Sequence, residues 1–163
     1  MVALDFTCKQ VLEWLSEVPD PEIPILTITD LGIVRDVSVG EKVTVEISPT
    51  YSGCPATEVI EQSVVDAIQS HSVAEVVIKR VLSPAWTSEW ISAGGRSKLK
   101  KYGIAPPERG TNKRELLHGK RSIACPRCDS VKTQVVSEFG STACKASYKC
   151  GDCLEPFEYF KCI

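Results

Sequence analysis

Residues 125–153 read CPRCDSVKTQVVSEFGSTACKASYKCGDC, and this stretch determines how the C-terminal part of the chain folds. It contains two Cys-x-x-Cys pairs, Cys125 with Cys128 and Cys150 with Cys153, separated by 21 residues. Thiolates at this spacing curl around one metal ion, and two such turns supply the four ligands of a closed, tetrahedral zinc site. The spacer slightly exceeds the usual window of roughly 15–20 residues, which a longer hairpin accommodates. The sequence therefore predicts a zinc ribbon with structural zinc on these four cysteines.

The size of this segment also calls for a metal ion. About 40 residues bury too little apolar surface to fold alone, whereas structural zinc supplies on the order of 10–16 kcal/mol. Two alternatives stay open: a redox Cys-x-x-Cys, which rarely comes as a matched pair, and a [4Fe–4S] cluster on the same ligands. Catalytic zinc is not expected, because four thiolates leave no open position on the metal.

Four further cysteines lie outside these pairs, and three of them carry no sign of chemistry. Cys144 and Cys162 are expected to be buried core thiols, with an additional or shared metal ligand as the alternative. Cys8 stands at the start of the first predicted helix, and we interpret it as structural.

Upstream of the ribbon, the apolar pattern predicts a small α/β domain. Thr7 and Gln10 form a capping box that begins a helix, which Pro19 ends. Residues 33–39 and 43–47 alternate apolar and polar positions, as expected for a hairpin, and residues 74–82 form a third candidate strand. A second helix opens at Cys54-Pro55, between the hairpin and the third strand. The predicted fold class is α/β with α+β character, a small mixed sheet in the order helix–strand–strand–helix–strand.

The segment between the two domains has a different composition. Thr87 as a cap and Gly103 as a terminator predict one helix that ends near Tyr102, although Gly94 and Gly95 weaken the pattern. Residues 105–121 have the composition of a linker. The predicted organisation is therefore an α/β domain at 1–84, a helix with a basic linker at 85–121 and a zinc ribbon at 122–163.

Charge is distributed unevenly along the chain. Residues 1–93 contain 5 Lys and Arg against 14 Asp and Glu, whereas residues 94–121 contain 9 against 2. A basic segment suggests nucleic acid, but we favour its docking on the acidic part of this chain or of a partner. The sequence shows no secretory signal and no apolar run of the roughly 18–20 residues that a bilayer requires. We therefore expect a cytoplasmic protein that does not cross a membrane.

Cys54 is the residue outside the ribbon that most suggests chemistry. It precedes a predicted helix, whose positive end lowers the pKa of a nearby thiol and makes it a better nucleophile or metal ligand. The alternative is a buried capping thiol. A Cys–His pair is not expected, because His71 and His118 fall in a loop and a linker.

Several segments of the chain carry a resemblance to a known family. The segments Asp20-Pro21-Glu22-Ile23-Pro24, 30–34 and 50–55 resemble the signature of iron–sulfur cluster assembly and targeting domains, over about residues 7–82. The segments 83–91, 102–107 and 139–145, together with the ribbon, resemble the accessory D subunits of the bacterial phenylacetyl-CoA ring-1,2-epoxidase system of phenylacetate degradation.

This resemblance implies that the chain contributes no catalytic residue. It implies an accessory or maturation subunit that supports iron–sulfur cluster delivery to the reductase subunit, with the other epoxidase subunits as partners. By the same resemblance, Cys54 matches a functional thiol that could ligate iron or a cluster transiently, and Asp20 and Glu22 match its supporting acidic turn. Since a lone thiolate cannot hold a cluster stably, a homodimer is one way to complete the site.

Two functions of other classes compete with this one. A zinc-ribbon nucleic-acid binder or general protein adaptor would use the basic segment, but the acidic domain should repel phosphate. A thiol enzyme would use Cys54, but the sequence offers it no evident base.

Overall fold

The chain folds into two units, Met1–Ser92 and Ala93–Ile163, called here the N-terminal and C-terminal units. The structure is a computed structural model that describes residues 6–51, 53–107 and 123–161. Of the predictions made from the sequence, those on Cys162 and His118 and most of the 105–121 linker lie outside the described residues. Within the described ranges, none of the helices combines the length and the apolar character needed to cross a bilayer.

Helix α1, Cys8–Leu15, begins at the predicted capping box. The Thr7 hydroxyl accepts the Gln10 backbone N–H at 3.3 Å, and the Gln10 side-chain oxygen accepts the Thr7 N–H at 2.8 Å. These bonds satisfy two backbone donors that a helix start otherwise leaves unpaired. Val11 and Leu15 are fully buried, so α1 packs its apolar stripe into the core.

A three-stranded sheet forms the centre of the N-terminal unit. Strands β1 (Val34–Val39), β2 (Val43–Ile47) and β3 (Val76–Arg80) lie in the order β1-β2-β3. The β1–β2 pair is antiparallel and the β2–β3 pair is parallel, with helix α2 (Thr57–Gln69) connecting them. Alternate residues of β2 and one face of α2 are buried, which is the half-buried pattern of a sheet covered by helices. The predicted element order and the mixed sheet are confirmed.

Residues 86–92 differ from the prediction. Instead of one helix from Thr87 to Tyr102, the chain forms a short 3₁₀ helix, Ser88–Trp90, and then helix α3, Ala93–Tyr102. Between the two, Ile91 is extended. The Trp86 indole N–H donates to the Leu31 carbonyl at 2.8 Å, and the Ser92 hydroxyl bonds the Asp30 carboxylate at 2.9 Å. These long-range bonds hold the segment within the N-terminal unit, which extends to Ser92.

The C-terminal unit contains a four-stranded sheet in the order β4-β7-β6-β5. Its strands are β4 (Ile104–Ala105), β5 (Thr133–Ser137), β6 (Lys145–Cys150) and β7 (Pro156–Phe160). Strand β4 pairs parallel with β7, and the other neighbours are antiparallel. Ala105, assigned to the linker by composition, is buried in the ribbon core together with Ile123, Phe157 and Tyr159.

Candidate functional site

The four predicted ligands of the ribbon lie together. The Sγ atoms of Cys125, Cys128, Cys150 and Cys153 are all within 4.8 Å of one another. Cys125 and Cys153 have their sulfur atoms 3.7 Å apart, and Cys128 and Cys150 have theirs 3.6 Å apart. A tetrahedron with zinc–sulfur bonds of about 2.3 Å has sulfur–sulfur edges of about 3.8 Å. The donor set and its dimensions therefore fit a closed four-thiolate metal site.

Two turns of the chain hold these cysteines in place. The Cys125 carbonyl accepts the Asp129 N–H at 2.9 Å, and the Cys125 N–H donates to the Ser130 carbonyl at 2.9 Å, which closes the first Cys-x-x-Cys turn. Asp129 has a φ of 59° there. At the second turn, the N–H groups of Cys153 and Asp152 point at the Cys150 sulfur and lower the pKa of that thiol to about 6. Backbone donors thus favour the thiolate that a metal ion requires.

A partly buried ion pair connects the hairpin between the two Cys-x-x-Cys turns to strand β7. Lys145 Nζ lies 3.0 Å from a Glu158 carboxylate oxygen, and the Lys145 side chain is 8% exposed. The other Glu158 oxygen accepts the Ser141 N–H at 2.7 Å. Burial raises the pKa of Glu158, but these bonds outweigh it and leave the pKa below its ordinary value. The residues 139–145 that the sequence singled out therefore form a turn anchored on β7.

Neither Cys144 nor Cys8 belongs to this metal site. Cys144 is buried, and its Sγ lies 3.0 Å from the Thr142 hydroxyl oxygen. Its backbone carbonyl accepts the Lys161 N–H at 2.9 Å. Cys8 is exposed on α1. Among the residues that the structure describes, the metal-ligand group contains neither. Cys144 is the expected buried thiol, whereas Cys8, interpreted as structural from the sequence, lies at the surface.

Cys54 lies in the turn before α2, not at the first position of the helix. The helix begins at Thr57, with Ala56 as its N-cap residue. The Cys54 carbonyl accepts both the Thr57 N–H at 3.2 Å and the Thr57 hydroxyl at 2.9 Å. The Cys54 N–H donates to the Tyr51 carbonyl at 3.3 Å. The thiol is half-buried within this turn.

The pKa of Cys54 is raised, which corrects the expectation that the helix lowers it. Burial is the main cause, and the nearby Glu22 carboxylate raises the pKa further. The Ala56 N–H and the Thr57 and Tyr51 side chains act in the opposite direction by hydrogen bonding. The net shift of the pKa is upward because burial destabilises the thiolate more than these hydrogen bonds stabilise it.

The predicted acidic turn is present beside this thiol. Asp20 is buried, and its Oδ1 accepts the N–H groups of Glu22 at 3.0 Å and Ile23 at 2.8 Å. Asp20 therefore fixes the turn, whereas Glu22 is the acid whose charge reaches Cys54. Sequence reasoning missed Tyr51 and Thr57, although both lie three residues from Cys54 in the sequence.

The environment of Cys54 offers few ligands and no histidine pair within the described residues. His71 stacks on Trp14 with ring centroids 3.9 Å apart. It follows the last turn of α2, a 13-residue helix about 20 Å long, whereas Cys54 precedes the first turn. Among the described residues, no set of three or more metal-ligating side chains includes Cys54. A metal bound at Cys54 would need ligands beyond those that the described residues place around it.

Comparisons with known proteins agree with this architecture. The family model "Iron-sulfur cluster assembly protein" matches residues 9–79, and the model "PaaD zinc beta ribbon domain" matches residues 109–161. Two solved structures share the fold. One is a domain of unknown function, DUF59, from Bacillus anthracis, with a TM-score of 0.53, 26% identity and coverage of 56% of this chain and 90% of that one. The other is a conserved hypothetical protein from Thermotoga maritima, with a TM-score of 0.51, 29% identity and coverage of 60% and 98%.

One relative matches nearly the whole chain. The D subunit of the Escherichia coli (strain K12) "Putative 1,2-phenylacetyl-CoA epoxidase" is 49% identical over 150 residues. The match covers 91% of this chain and 89% of that protein, so it includes both units. The chain therefore belongs to the family of phenylacetyl-CoA epoxidase D subunits, in which an iron–sulfur assembly domain precedes a zinc ribbon.

Proposed function

We propose that this chain is a non-catalytic accessory subunit of a multicomponent phenylacetyl-CoA epoxidase, and that it supports delivery of an iron–sulfur cluster to the reductase subunit. The observation that carries the proposal is the match to the Escherichia coli epoxidase protein, which spans both units of the chain. The match of residues 9–79 to an iron–sulfur cluster assembly family supports the proposed role in cluster delivery.

The surroundings of Cys54 suit brief rather than permanent iron binding. Its raised pKa keeps the thiol neutral until a metal displaces the proton, because iron binds the thiolate. Glu22 can supply a carboxylate oxygen and a negative charge near the incoming cation. Because the described residues offer so few ligands around Cys54, the recipient subunit or a second copy of this chain would complete the coordination and could then take the cluster away.

Zinc is the proposed metal of the ribbon. Four sulfur donors at tetrahedral spacing are typical of structural zinc, and zinc bound there would hold the two turns of the ribbon together. Because all four positions are filled by protein thiolates, this metal would stabilise the fold and leave the cluster-related chemistry to Cys54.

Complementation tests the role in cells. A strain that lacks its own D subunit is supplied with the wild-type chain, Cys54→Ser or Cys8→Ser and grown on phenylacetate as the carbon source. We expect Cys54→Ser to slow growth and Cys8→Ser to support it, since both are cysteine-to-serine changes but only Cys54 lies beside the acidic turn. Normal growth with Cys54→Ser would contradict a functional thiol.

A further inference from the structure

A groove in the C-terminal unit is not used by the proposed function. Its volume is about 760 Å³, and it lies between α3 from Arg96 onward, the turn that follows this helix and the first Cys-x-x-Cys turn. Pockets of roughly 300–1,000 Å³ are the size that small organic ligands and cofactors occupy.

The lining of the groove is strongly basic. Arg96, Lys100, Lys101 and Arg127 all line it, and no carboxylate within the described residues does so. Asp129 neutralises one of these charges through an ion pair with Lys100, Nζ to Oδ1 at 2.6 Å. About three positive charges therefore face one cavity, which raises the local concentration of anions.

The end of α3 accounts for only part of this charge. Lys100 and Lys101 stand in its last turn, where cations balance the negative end of the helix dipole. Arg127 comes from a different element, between the predicted metal ligands Cys125 and Cys128. The dipole of α3 therefore does not explain its presence in the groove. Its presence in the same groove adds like-charge repulsion, which a bound polyanion would relieve.

The groove also offers flat apolar surface beside these cations. Tyr102 is 68% exposed, so most of its ring is accessible to a ligand in the groove. Pro106 and Pro126 line the groove with it. Such surfaces stack on a nucleobase while lysine and arginine bind phosphate, a combination typical of nucleotide recognition. An acidic peptide would use the cations but would leave the ring without a partner.

We infer that this groove binds a nucleoside diphosphate group, with the base on Tyr102 and the phosphates on Lys101 and Arg127. The group occurs both in free nucleotides and in coenzyme A, where a 3′-phosphate adds further charge. The inference goes beyond the proposed function and does not depend on it, because Cys54 and the groove belong to different units.

Calorimetric titration of the full, metal-loaded chain at low salt tests the inference. The probes are ADP, dephospho-coenzyme A, coenzyme A, inorganic tripolyphosphate and a short poly-glutamate peptide. We expect saturable binding of ADP and of dephospho-coenzyme A, each tighter than tripolyphosphate or the peptide. Tighter binding of coenzyme A than of dephospho-coenzyme A would assign the ligand to coenzyme A, and equal binding would assign it to free nucleotide; both results support the site.

Matched variants locate the binding. Lys101→Glu should weaken ADP binding about tenfold or more, because it removes a charged hydrogen bond. Lys98→Glu changes an exposed lysine of the same helix that does not line the groove, and should change affinity less than about twofold. Tyr102→Ala should weaken binding about fivefold or more, whereas Tyr102→Phe should retain it. Metal content is measured in each variant to confirm that the ribbon is intact.

Three results would overturn the inference. The first is tripolyphosphate or poly-glutamate binding as tightly as ADP, which would show a non-specific basic surface. The second is an equal loss in Lys98→Glu and Lys101→Glu, which would place the binding outside the groove. The third is full affinity in Tyr102→Ala, which would show that no base stacks on Tyr102.

Discussion

Gly32 shows how a single residue fixes the packing of the N-terminal unit. Its φ is +66°, and a Cβ built there would lie 2.6 Å from the Trp90 carbonyl oxygen and 2.7 Å from the Trp90 Cβ. Above Trp90, the Arg35 guanidinium lies 3.5 Å from the centre of the indole ring. Only glycine allows the loop before β1 to approach the 3₁₀ helix this closely.

Gly32→Ala should therefore destabilise the N-terminal unit by about 1–3 kcal/mol, since it adds both backbone strain and a backbone clash. Gly40→Ala is the matched control, because its Cβ would meet nothing within 4 Å. Its effect should stay within about 0.5 kcal/mol. Urea unfolding of the two variants measures the difference, and equal midpoints would contradict the close packing.

At Cys54, the raised pKa predicts slow alkylation at neutral pH that accelerates as the pH rises. Glu22→Gln should lower this pKa and speed the reaction at pH 7, because it removes a negative charge that opposes the thiolate. The reaction with iodoacetamide is followed by mass spectrometry of the peptide that contains Cys54. Glu17→Gln, an exposed acid of the same region of sequence, is the control. If Glu22→Gln reacts at the wild-type rate, the charge of Glu22 does not influence the Cys54 thiol.

The sequence could identify Cys54 but not its electrostatics. Pro55 suggested that the helix begins at Cys54, whereas the Thr57 bonds to the Cys54 carbonyl close a turn before it. The direction of the pKa shift depends on burial, which no spacing rule reveals. The proximity of Glu22 to Cys54 was expected only from the family resemblance, since 32 positions separate the two residues.

Among the structural elements, the ribbon was the easiest to predict, because ligand spacing encodes it locally. The position of α3 was harder. Its glycines and lysines suggested part of a long helix, but bonds from Trp86 and Ser92 to the loop at 30–31 interrupt that helix. Strand β4 is two residues long and pairs with β7 more than 50 positions away, so nothing in its own sequence marks it.

Loss of one metal ligand should unfold the ribbon selectively. We expect one zinc per wild-type chain, and loss of that zinc in Cys128→Ser, because three thiolates no longer close the site. Hydrogen exchange followed by mass spectrometry should show loss of protection over β5–β7, while α1, α2 and β1–β3 retain theirs, since the two units have separate cores. Cys8→Ser should keep both zinc and protection.

Two results would contradict this assignment. Iron with a cluster absorption band in the wild-type chain would replace zinc by an iron–sulfur cluster on the same four cysteines. Unchanged protection of β5–β7 in Cys128→Ser would show that the ribbon does not depend on its metal.

For the whole molecule, the proposed function gives the two units different roles: the N-terminal unit carries the functional thiol Cys54, and the C-terminal unit is a module that its metal stabilises. The acidic stretch 1–93 and the basic stretch 94–121 give the chain opposite charges in its two parts, although its net charge is only −2. Such a molecule can present different surfaces to different subunits. A role between the components of a complex, rather than an independent activity, accords with this division.

The most direct test of the proposed role is the iron and acid-labile sulfide content of the epoxidase reductase. The reductase is purified anaerobically from cells that carry the wild-type chain, Cys54→Ser or Cys8→Ser, at equal expression of each chain. We expect the reductase to lack part of its cluster only in the cells that carry Cys54→Ser. The Cys54→Ser variant itself should keep its fold and its zinc. Full cluster occupancy in the reductase from Cys54→Ser cells would contradict it and leave Cys54 as a structural residue of the turn.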